Sequence, residues 1–119
     1  MMNYKRGDVV LVKFPMPDLS LYKPRPALII QNDNNNKRLK TTILLQITSN
    51  ISRKDETTQY FISCENEEGK QAGLKTDSVI KAESIFTLPQ ENIYKTIGKL
   101  TQNALVEVEK CLKISLSLK

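Results

Sequence analysis

The basic residues of this chain are concentrated in one stretch where they could hold an anion. Between residues 34 and 54 every charged side chain is Lys or Arg, and the whole chain of 119 residues carries a net charge of +5. A local excess of positive charge favours a polyanionic partner such as nucleic acid, although a solvated surface loop explains the charge equally well. The candidate nucleic-acid-binding residues of this stretch are Lys37, Arg38, Lys40, Arg53 and Lys54.

A further candidate for anion chemistry is Arg25, which lies between Pro24 and Pro26. Each proline fixes its own φ and biases the residue before it toward extended backbone, so the arginine side chain starts from a stiff base. A guanidinium held in one place can clamp a phosphate through paired hydrogen bonds. The alternative interpretation is an ordinary surface arginine.

Residues 14–23, ahead of this arginine, are predicted to form a long loop between two strands. Loops on a rigid sheet are where binding surfaces and gates commonly lie. In this loop Tyr22 could stack on a base and Lys23 could hold a phosphate, which makes both of them candidate RNA-binding residues. In the alternative interpretation, Tyr22 covers the edge of the core.

The chain has no histidine, and its two cysteines, Cys64 and Cys111, lie far apart in the sequence. This composition excludes zinc sites of the usual ligand spacing and nucleophilic pairs of Cys and His. Acid–base chemistry must therefore come from Asp, Glu, Lys, Tyr, Arg or hydroxyl groups. We expect no metal and no cofactor, and we expect both cysteines to be small buried residues.

Five short runs before residue 88 are rich in β-branched and aromatic residues and are separated by turn signals. They predict an antiparallel sheet that closes on itself as a small β-barrel. The asparagine-rich segment 34–36 between two of the runs predicts a turn. The predicted strands are residues 9–14, 27–31, 41–47, 57–63 and 78–87.

The C-terminal region predicts an amphipathic α-helix capped by Thr101. Glu109 and Lys113 are spaced to form an i,i+4 ion pair on its polar side. The fold class is therefore α+β, a small antiparallel β-barrel with a C-terminal α-helix, in a single domain of residues 1–119. The apolar residues that recur at helical spacing are Leu105, Val108, Leu112 and Leu116.

The apolar runs of the sequence are far shorter than the roughly 20 residues that cross a bilayer. The N-terminal residues carry no cleavage site of the kind that ends a secretory signal. We expect no membrane association and a cytoplasmic location.

Five segments of the chain form a recognisable set: residues 7–12 (GDVVLV), 25–33 (RPALIIQND), 47–49 (ITS), 74–80 (LKTDSVI) and 97–100 (IGKL) with 112–116 (LKISL). Together they resemble the MazF/PemK family of toxin ribonucleases, in that family's order and spacing. Nearly the whole chain takes part, so the resemblance does not depend on any one motif. It implies an SH3-like barrel, a homodimer, sequence-selective cleavage of single-stranded RNA, and inhibition by an acidic segment of a cognate antitoxin. Operator DNA would be bound only through that antitoxin.

The resemblance also assigns roles to residues of this chain. Arg25 corresponds to the family's catalytic arginine and Thr48 to its partner hydroxyl, with Ser49 following at the end of a predicted strand. On the residues alone, Thr48 could equally be a strand-end threonine that caps a turn. Because arginine keeps its proton at any ordinary pH, we expect Arg25 to stabilise charge or to donate a proton rather than to act as the base.

A second pair of candidate catalytic residues is Lys81 and Glu83. They stand where one branch of the family has an Arg and an Asp that share the acid–base work. Lysine lacks the bidentate fork of arginine, so a strand-borne salt bridge is the alternative for this pair. Phe86 is a further departure, because relatives often carry a basic residue there.

The resemblance implies a metal-independent reaction in which the ribose 2′-hydroxyl attacks the phosphodiester. One alternative is a gyrase-poisoning toxin of the CcdB type, but those proteins end in Trp-Gly-Ile, whereas this chain ends in Ser117-Leu118-Lys119 and has no tryptophan. The other alternative is a non-catalytic barrel of the same fold that binds RNA or a protein.

Overall fold

The computed structural model of the chain describes residues 3–13 and 23–119. Strands in this part of the chain form one sheet, and the longest helix follows at the C-terminal end, so the predicted α+β class is confirmed. In chain order the elements are β1 (Asp8–Val12), β2 (Arg25–Ile29), α1 (Asp33–Arg38), β3 (Thr41–Thr48), β4 (Gln59–Ile62), α2 (Glu67–Gln71), β5 (Ser78–Pro89), a 3₁₀ helix (Gln90–Asn92), β6 (Ile93–Lys99) and α3 (Gln102–Ser115).

The six strands form an antiparallel sheet in the order β4-β5-β3-β2-β1-β6. The edges of the sheet are β4 and β6, and within the described ranges no strand pairing joins these two edges. The sheet is therefore open in its hydrogen bonding, and its pairings do not establish the closed barrel that the sequence predicts.

A break in register bends β5. Leu45 lies opposite Ile85, but the next residue, Gln46, lies opposite Lys81, which leaves residues 82–84 of β5 without a partner on β3. Extra residues on one strand of an antiparallel pair kink that strand and increase its twist. The bend lets the first part of β5 pair with both β3 and β4, whereas the second part pairs with β3 alone.

Both faces of the sheet are covered, because successive residues of the central strands belong to different core clusters. On β1, Val9 belongs to the cluster that includes α3 residues Leu105 and Val108, whereas Val10 belongs to a second cluster. Alternation along a strand produces this division. The second cluster also includes Tyr4, Val12, Ala27, Ile29, Leu44, Leu88 and Ile93, with Phe86 partly buried against it.

The turn predicted at residues 34–36 is wrong, because these residues belong to α1. Asn32 caps this helix: its Oδ1 accepts a hydrogen bond from the backbone N–H of Asn35 at 2.7 Å. Asn36 is buried rather than exposed. A polar run suits a turn when its side chains stay in water, but here the cap and the buried amide favour a helix.

The C-terminal helix is confirmed, including its cap. The Thr101 Oγ1 accepts a hydrogen bond from the backbone N–H of Ala104 at 3.2 Å. The sequence predicts Leu116 on the apolar face, but this residue follows the last turn and is 50% exposed. Glu109 bonds to the guanidinium of Arg6 at 2.7 Å instead of to Lys113, because the helix packs beside the chain entering β1.

The five predicted strands all occur, with shifted ends. No element was predicted for the residues of β6 or α2. β6 contains few apolar residues and its register against β1 shifts twice, while α2 has only five residues, so neither shows a clear periodic pattern in the sequence.

Candidate active site

A cleft of about 660 Å³, here called the Arg25 cleft, opens at the end of the central strands of the sheet, where β3 ends and β2 begins. The described residues that line it include basic side chains and hydroxyl side chains, and none of them is acidic. Its charge therefore suits an anionic ligand. The basic residues are Lys23, Arg25, Lys75 and Lys95, and the hydroxyl residues are Thr48, Ser49, Thr76 and Ser78.

Strand register brings Arg25 and Thr48 to the same place. Ala27 lies opposite Gln46, so in antiparallel pairing the position two residues before Ala27 meets the position two residues after Gln46. Both residues line the Arg25 cleft. The pair that the sequence proposes as the site is thus assembled by the β2–β3 pairing.

The backbone of the next turn fixes the Thr48 hydroxyl. Its Oγ1 accepts a hydrogen bond from the backbone N–H of Asn50 at 3.1 Å, so the turn-capping interpretation of this threonine is confirmed. Accepting that bond orients the oxygen and leaves the hydroxyl proton as a donor. One threonine can therefore close the strand and offer a hydrogen bond within the cleft.

One wall of the cleft depends on two glycines. Gly73 follows α2 with φ of +73°, a conformation that L side chains rarely adopt, and a Cβ there would meet the backbone of Ile97. A Cβ at Gly98 would likewise meet the backbone of Ala72. This Gly73–Gly98 crossing brings the end of α2 against β6 and holds residues 74–76 beside the cleft.

Lys37, Arg38 and Lys40 lie at the other end of β3, around a second cleft of about 930 Å³, here called the Lys37 cleft. Because β3 runs from Thr41 to Thr48 at about 3.3 Å per residue, the two strand ends are about 23 Å apart. The structure therefore separates these three cations from Arg25 and does not gather the basic stretch into one surface.

The Lys37 cleft is built over a buried network of amides. The Asn36 Oδ1 accepts hydrogen bonds from Gln31 Nε2 at 2.8 Å and Thr42 Oγ1 at 2.7 Å, and its Nδ2 donates to the Gln31 carbonyl at 3.0 Å. Gln90 Nε2 lies within 2.9–3.1 Å of three backbone carbonyls, those of Asn36, Leu39 and Thr41. Buried polar groups that are bonded to this extent stiffen the structure around them.

Lys81 and Glu83 are on β5 and do not line the Arg25 cleft. Glu83 accepts hydrogen bonds from Gln59 Nε2 at 2.7 Å and Thr58 Oγ1 at 3.1 Å. Desolvation disfavours the charge of Glu83, but hydrogen bonds from Gln59, from the backbone and from Thr58, together with the positive charge of Lys81, outweigh it, so the pKa of this carboxyl lies below its ordinary value. Glu83 therefore ties β4 to β5 as a carboxylate.

The other predicted binding residues have separate surroundings. The Arg53 guanidinium is 3.9 Å from the Glu56 carboxylate, and Lys54 Nζ is 5.1 Å from the ring centre of Phe61. Neither residue lines the Arg25 cleft or the Lys37 cleft. Tyr22 lies outside the described residues.

The cysteines differ in burial. Cys111 on α3 is buried in the core, as predicted, whereas Cys64 is only half-buried, so the prediction for Cys64 is wrong. Hydrogen bonding to Asp77 raises the pKa of the Cys64 thiol.

Within residues 3–13 and 23–119, no group of three or more Cys, Asp or Glu side chains is placed to hold a metal ion. No helix in the described ranges is long and apolar enough to cross a membrane.

Sequence reasoning missed several cleft residues. Lys75, Thr76 and Ser78 belong to a segment that carries the family resemblance, but they were not among the candidate site residues. Lys95 was missed because β6 was not recognised as a strand. The alternation of Ile93 and Ile97 with polar residues was the available indication.

Fold and cleft together define a small α+β protein with a cationic, hydroxyl-lined site at one end of an antiparallel sheet. The family model for the PemK-like, MazF-like toxins of type II toxin–antitoxin systems matches residues 5–116. The chain is 36% identical over 115 residues to an Endoribonuclease MazF of Staphylococcus epidermidis, with 96% of this chain and 92% of that protein covered.

Two solved structures show the same fold at low identity. A MazF of Deinococcus radiodurans is 17% identical, with a TM-score of 0.77 over 99% of this chain and all of that one. A mycobacterial endoribonuclease in complex with its cognate antitoxin is 20% identical, with a TM-score of 0.75 over 98% of this chain and 97% of that one. The chain belongs to the PemK/MazF family, the endoribonuclease toxins of toxin–antitoxin systems.

Proposed function

We propose that the protein cleaves single-stranded RNA sequence-selectively and without a metal, using the ribose 2′-hydroxyl as nucleophile and the Arg25 cleft as the active site. The observation that carries this proposal is that Arg25 and Thr48 line one cationic cleft. The 2′-hydroxyl loses its proton as its oxygen forms a bond to phosphorus, the bond from phosphorus to the 5′-oxygen breaks, and the departing 5′-oxygen takes up a proton, so no proton is gained or lost overall. The products are a 2′,3′-cyclic phosphate and a 5′-hydroxyl.

In this reaction negative charge builds on the phosphoryl oxygens, and fixed donors lower the barrier where that charge develops. Arg25 supplies a permanent positive charge on the first residue of β2. The hydroxyl of Thr48 donates a hydrogen bond to the same group, with its oxygen oriented by Asn50. Ser49 and Lys23 complete the phosphate contacts at this end of the cleft.

Lys81 and Glu83 take no part in the bond-breaking step in this proposal. Their place on β5 and the hydrogen bonds of Glu83 to the start of β4 favour a role in holding those strands together. Ser84 extends this support to the cleft, because its hydroxyl donates to Oε1 of Gln46, a residue of the cleft lining.

The first experiment is incubation of the purified protein with a long single-stranded RNA in EDTA, followed by mapping of the ends. We expect cleavage at a restricted set of sequences, with 5′-hydroxyl and 2′,3′-cyclic phosphate ends. The Arg25→Ala variant, purified in parallel, controls for contaminating ribonuclease. A strict need for Mg²⁺, or 5′-phosphate ends, would contradict the mechanism.

A binding measurement on the same RNA, made beside the cleavage assay, separates the alternatives. A non-catalytic RNA-binding barrel would retain the RNA without cutting it, whereas a protein-binding barrel or a gyrase poison would neither bind nor cut it. A synthetic RNA with a single 2′-deoxynucleotide at the mapped site is the sharper second substrate. Removal of the nucleophile should abolish cleavage at that position and leave binding in place.

The proposal includes the assembly and partners of the protein. It acts in the cytoplasm, where its RNA substrate is, as a symmetric homodimer, and an acidic segment of a cognate antitoxin occupies the cationic cleft in competition with RNA. Operator DNA is bound only through the antitoxin. Charge complementarity supports this competition, because the described cleft lining is basic without an acidic residue.

For the fold, we propose that the bent sheet within the single domain of residues 1–119 is an SH3-like barrel. The register break in β5 and the apolar clusters on both faces of the sheet support strong curvature.

A further inference from the structure

The pairing of β6 with β1 contains an irregularity beside the Arg25 cleft. Leu11 lies opposite Lys95, but the next residue, Val12, lies opposite Ile93, so Tyr94 is an extra residue on β6 with no partner position on β1. Bulges of this kind redirect a side chain and are common next to functional sites.

The bulge sends three consecutive side chains to three different places. Ile93 is buried in the second core cluster, and Lys95 lines the Arg25 cleft. Tyr94 between them is 64% exposed, the most exposed of the large hydrophobic side chains in the described ranges. Because an unbroken strand would alternate between only two faces, the outward position of Tyr94 depends on the extra residue.

Two lysines lie near Tyr94. Lys95 Nζ is 6.0 Å from the centre of its ring. The tyrosine also lines a depression of about 410 Å³ together with Lys13, Asn92 and the acidic Glu91. An exposed aromatic ring with lysines nearby, next in sequence to a residue of the cationic Arg25 cleft, has the composition of a single-stranded nucleic-acid surface, where bases stack on rings and lysines contact phosphates.

We propose that Tyr94 is a base-stacking platform for the RNA segment next to the bond that is cut, with Lys95 and Lys13 contacting the phosphates on either side of the stacked base. This inference rests on the proposed function of the Arg25 cleft and adds a nucleobase subsite to it. The subsite accepts any base that presents a π-face, so it adds affinity and fixes the path of the strand rather than reading a sequence.

A single-tryptophan variant tests the platform directly, because the chain has no tryptophan of its own. The Tyr94→Trp variant should lose fluorescence on titration with a 2′-O-methyl RNA, which cannot be cleaved, because a stacked base quenches the indole. The Leu118→Trp variant is the matched control: Leu118 is 59% exposed and lies beyond α3, and the fluorescence of this variant should not change.

Affinity for the same uncleavable RNA gives an independent measurement. Loss of one stacking partner should weaken binding by about tenfold in Tyr94→Ala. Tyr94→Phe keeps the ring and should restore the affinity, because stacking does not require the hydroxyl group. Size-exclusion chromatography of all variants reports whether the surface is instead a contact between copies of this chain.

Three results would overturn the platform: an unquenched indole in the RNA-saturated Tyr94→Trp variant, parental affinity in Tyr94→Ala, or a change of oligomeric state that accounts for the lost affinity. These outcomes differ from failure of the proposed function. If the parent protein binds RNA and cuts it in EDTA while the introduced indole stays unquenched, the active site stands and the stacking subsite falls. If the parent binds RNA without cutting it but the indole is quenched, the stacking subsite stands and the proposed active site falls.

Discussion

The two ends of β3 carry similar charge and very different chemistry. At the Thr48 end, cations from β2, β6 and the segment after α2 surround hydroxyl groups, and one of those hydroxyls is oriented by a backbone N–H. At the Thr41 end, the three cations of the Lys37 cleft lie above buried amides whose hydrogen bonds are directed inward. Positive charge therefore attracts an anion at either end. Among the described residues that line the two clefts, the Thr48 end differs in having an arginine beside a hydroxyl that a backbone N–H orients, which is the arrangement suited to stabilising a changing charge.

The largest expected effect comes from removing the side chain of Arg25 at the Thr48 end of β3. Arg25→Ala should lower the cleavage rate at saturating RNA by about 10²–10³, the range found when one donor to a developing oxyanion is removed. Rates are measured in single turnover, and circular dichroism confirms that the variant folds. Arg25→Lys keeps the charge without the fork and should recover only part of the rate. If Arg25→Ala cleaves RNA at the rate of the parent protein, the active site lies elsewhere, and Lys81 and Glu83 are the next residues to test.

The corresponding change at the Thr41 end should affect folding rather than chemistry. Asn36→Ala removes the acceptor for Gln31 and Thr42 and leaves buried donors unpaired, which should lower the free energy of unfolding by about 3 kcal/mol. Urea denaturation measures the free energy of unfolding of each variant. Asn35→Ala, at a half-buried position of the same helix, is the control, and loss of its side-chain bond to the exposed Arg38 should matter little. If the Asn36 and Asn35 variants are equally stable, the buried hydrogen bonds of Asn36 do not stabilise the Thr41 end of β3.

A smaller effect is expected from the hydroxyl of Thr48. Thr48→Val keeps the β-branched shape and removes the hydrogen bond, so the cleavage rate at saturating RNA should fall by about tenfold. The matched Thr48→Ser variant retains the hydroxyl and should lie closer to the parent. If Val and Ser behave alike, packing of the methyl group rather than the hydroxyl is what matters at this position.

The smallest effect should come from the cations of the Lys37 cleft. Lys37→Ala and Lys40→Ala should weaken RNA binding modestly across sequences and reduce the slope of log affinity against log salt by about 0.7 per lost phosphate contact. Affinity is measured on 2′-O-methyl RNA at several salt concentrations. An unchanged slope would remove the Lys37 cleft from the RNA-binding surface.

These contrasts also explain how far the sequence could be interpreted. Strands with β-branched alternation and the capped helix α3 were predictable, because local pattern and final packing agree there. α1 was not, since the burial of Asn36 depends on Gln31, Thr42 and the distant Gln90. The same reason explains why some site residues were predicted from the sequence and others were not. Arg25 and Thr48 were found through the family motifs, whereas Lys95 faces the cleft only because β6 pairs with β1.

The Gly73–Gly98 crossing has a consequence for how the cleft moves. Because the end of α2 and β6 touch through backbone atoms, the segment carrying Lys75 and the strand carrying Lys95 cannot separate without breaking that contact. Regions joined in this way open together, so their amides should exchange with deuterium at one common rate. The backbone positions of the two lysines are therefore set relative to each other before any ligand binds, so the ordering entropy that remains to be lost on binding is that of the lysine side chains.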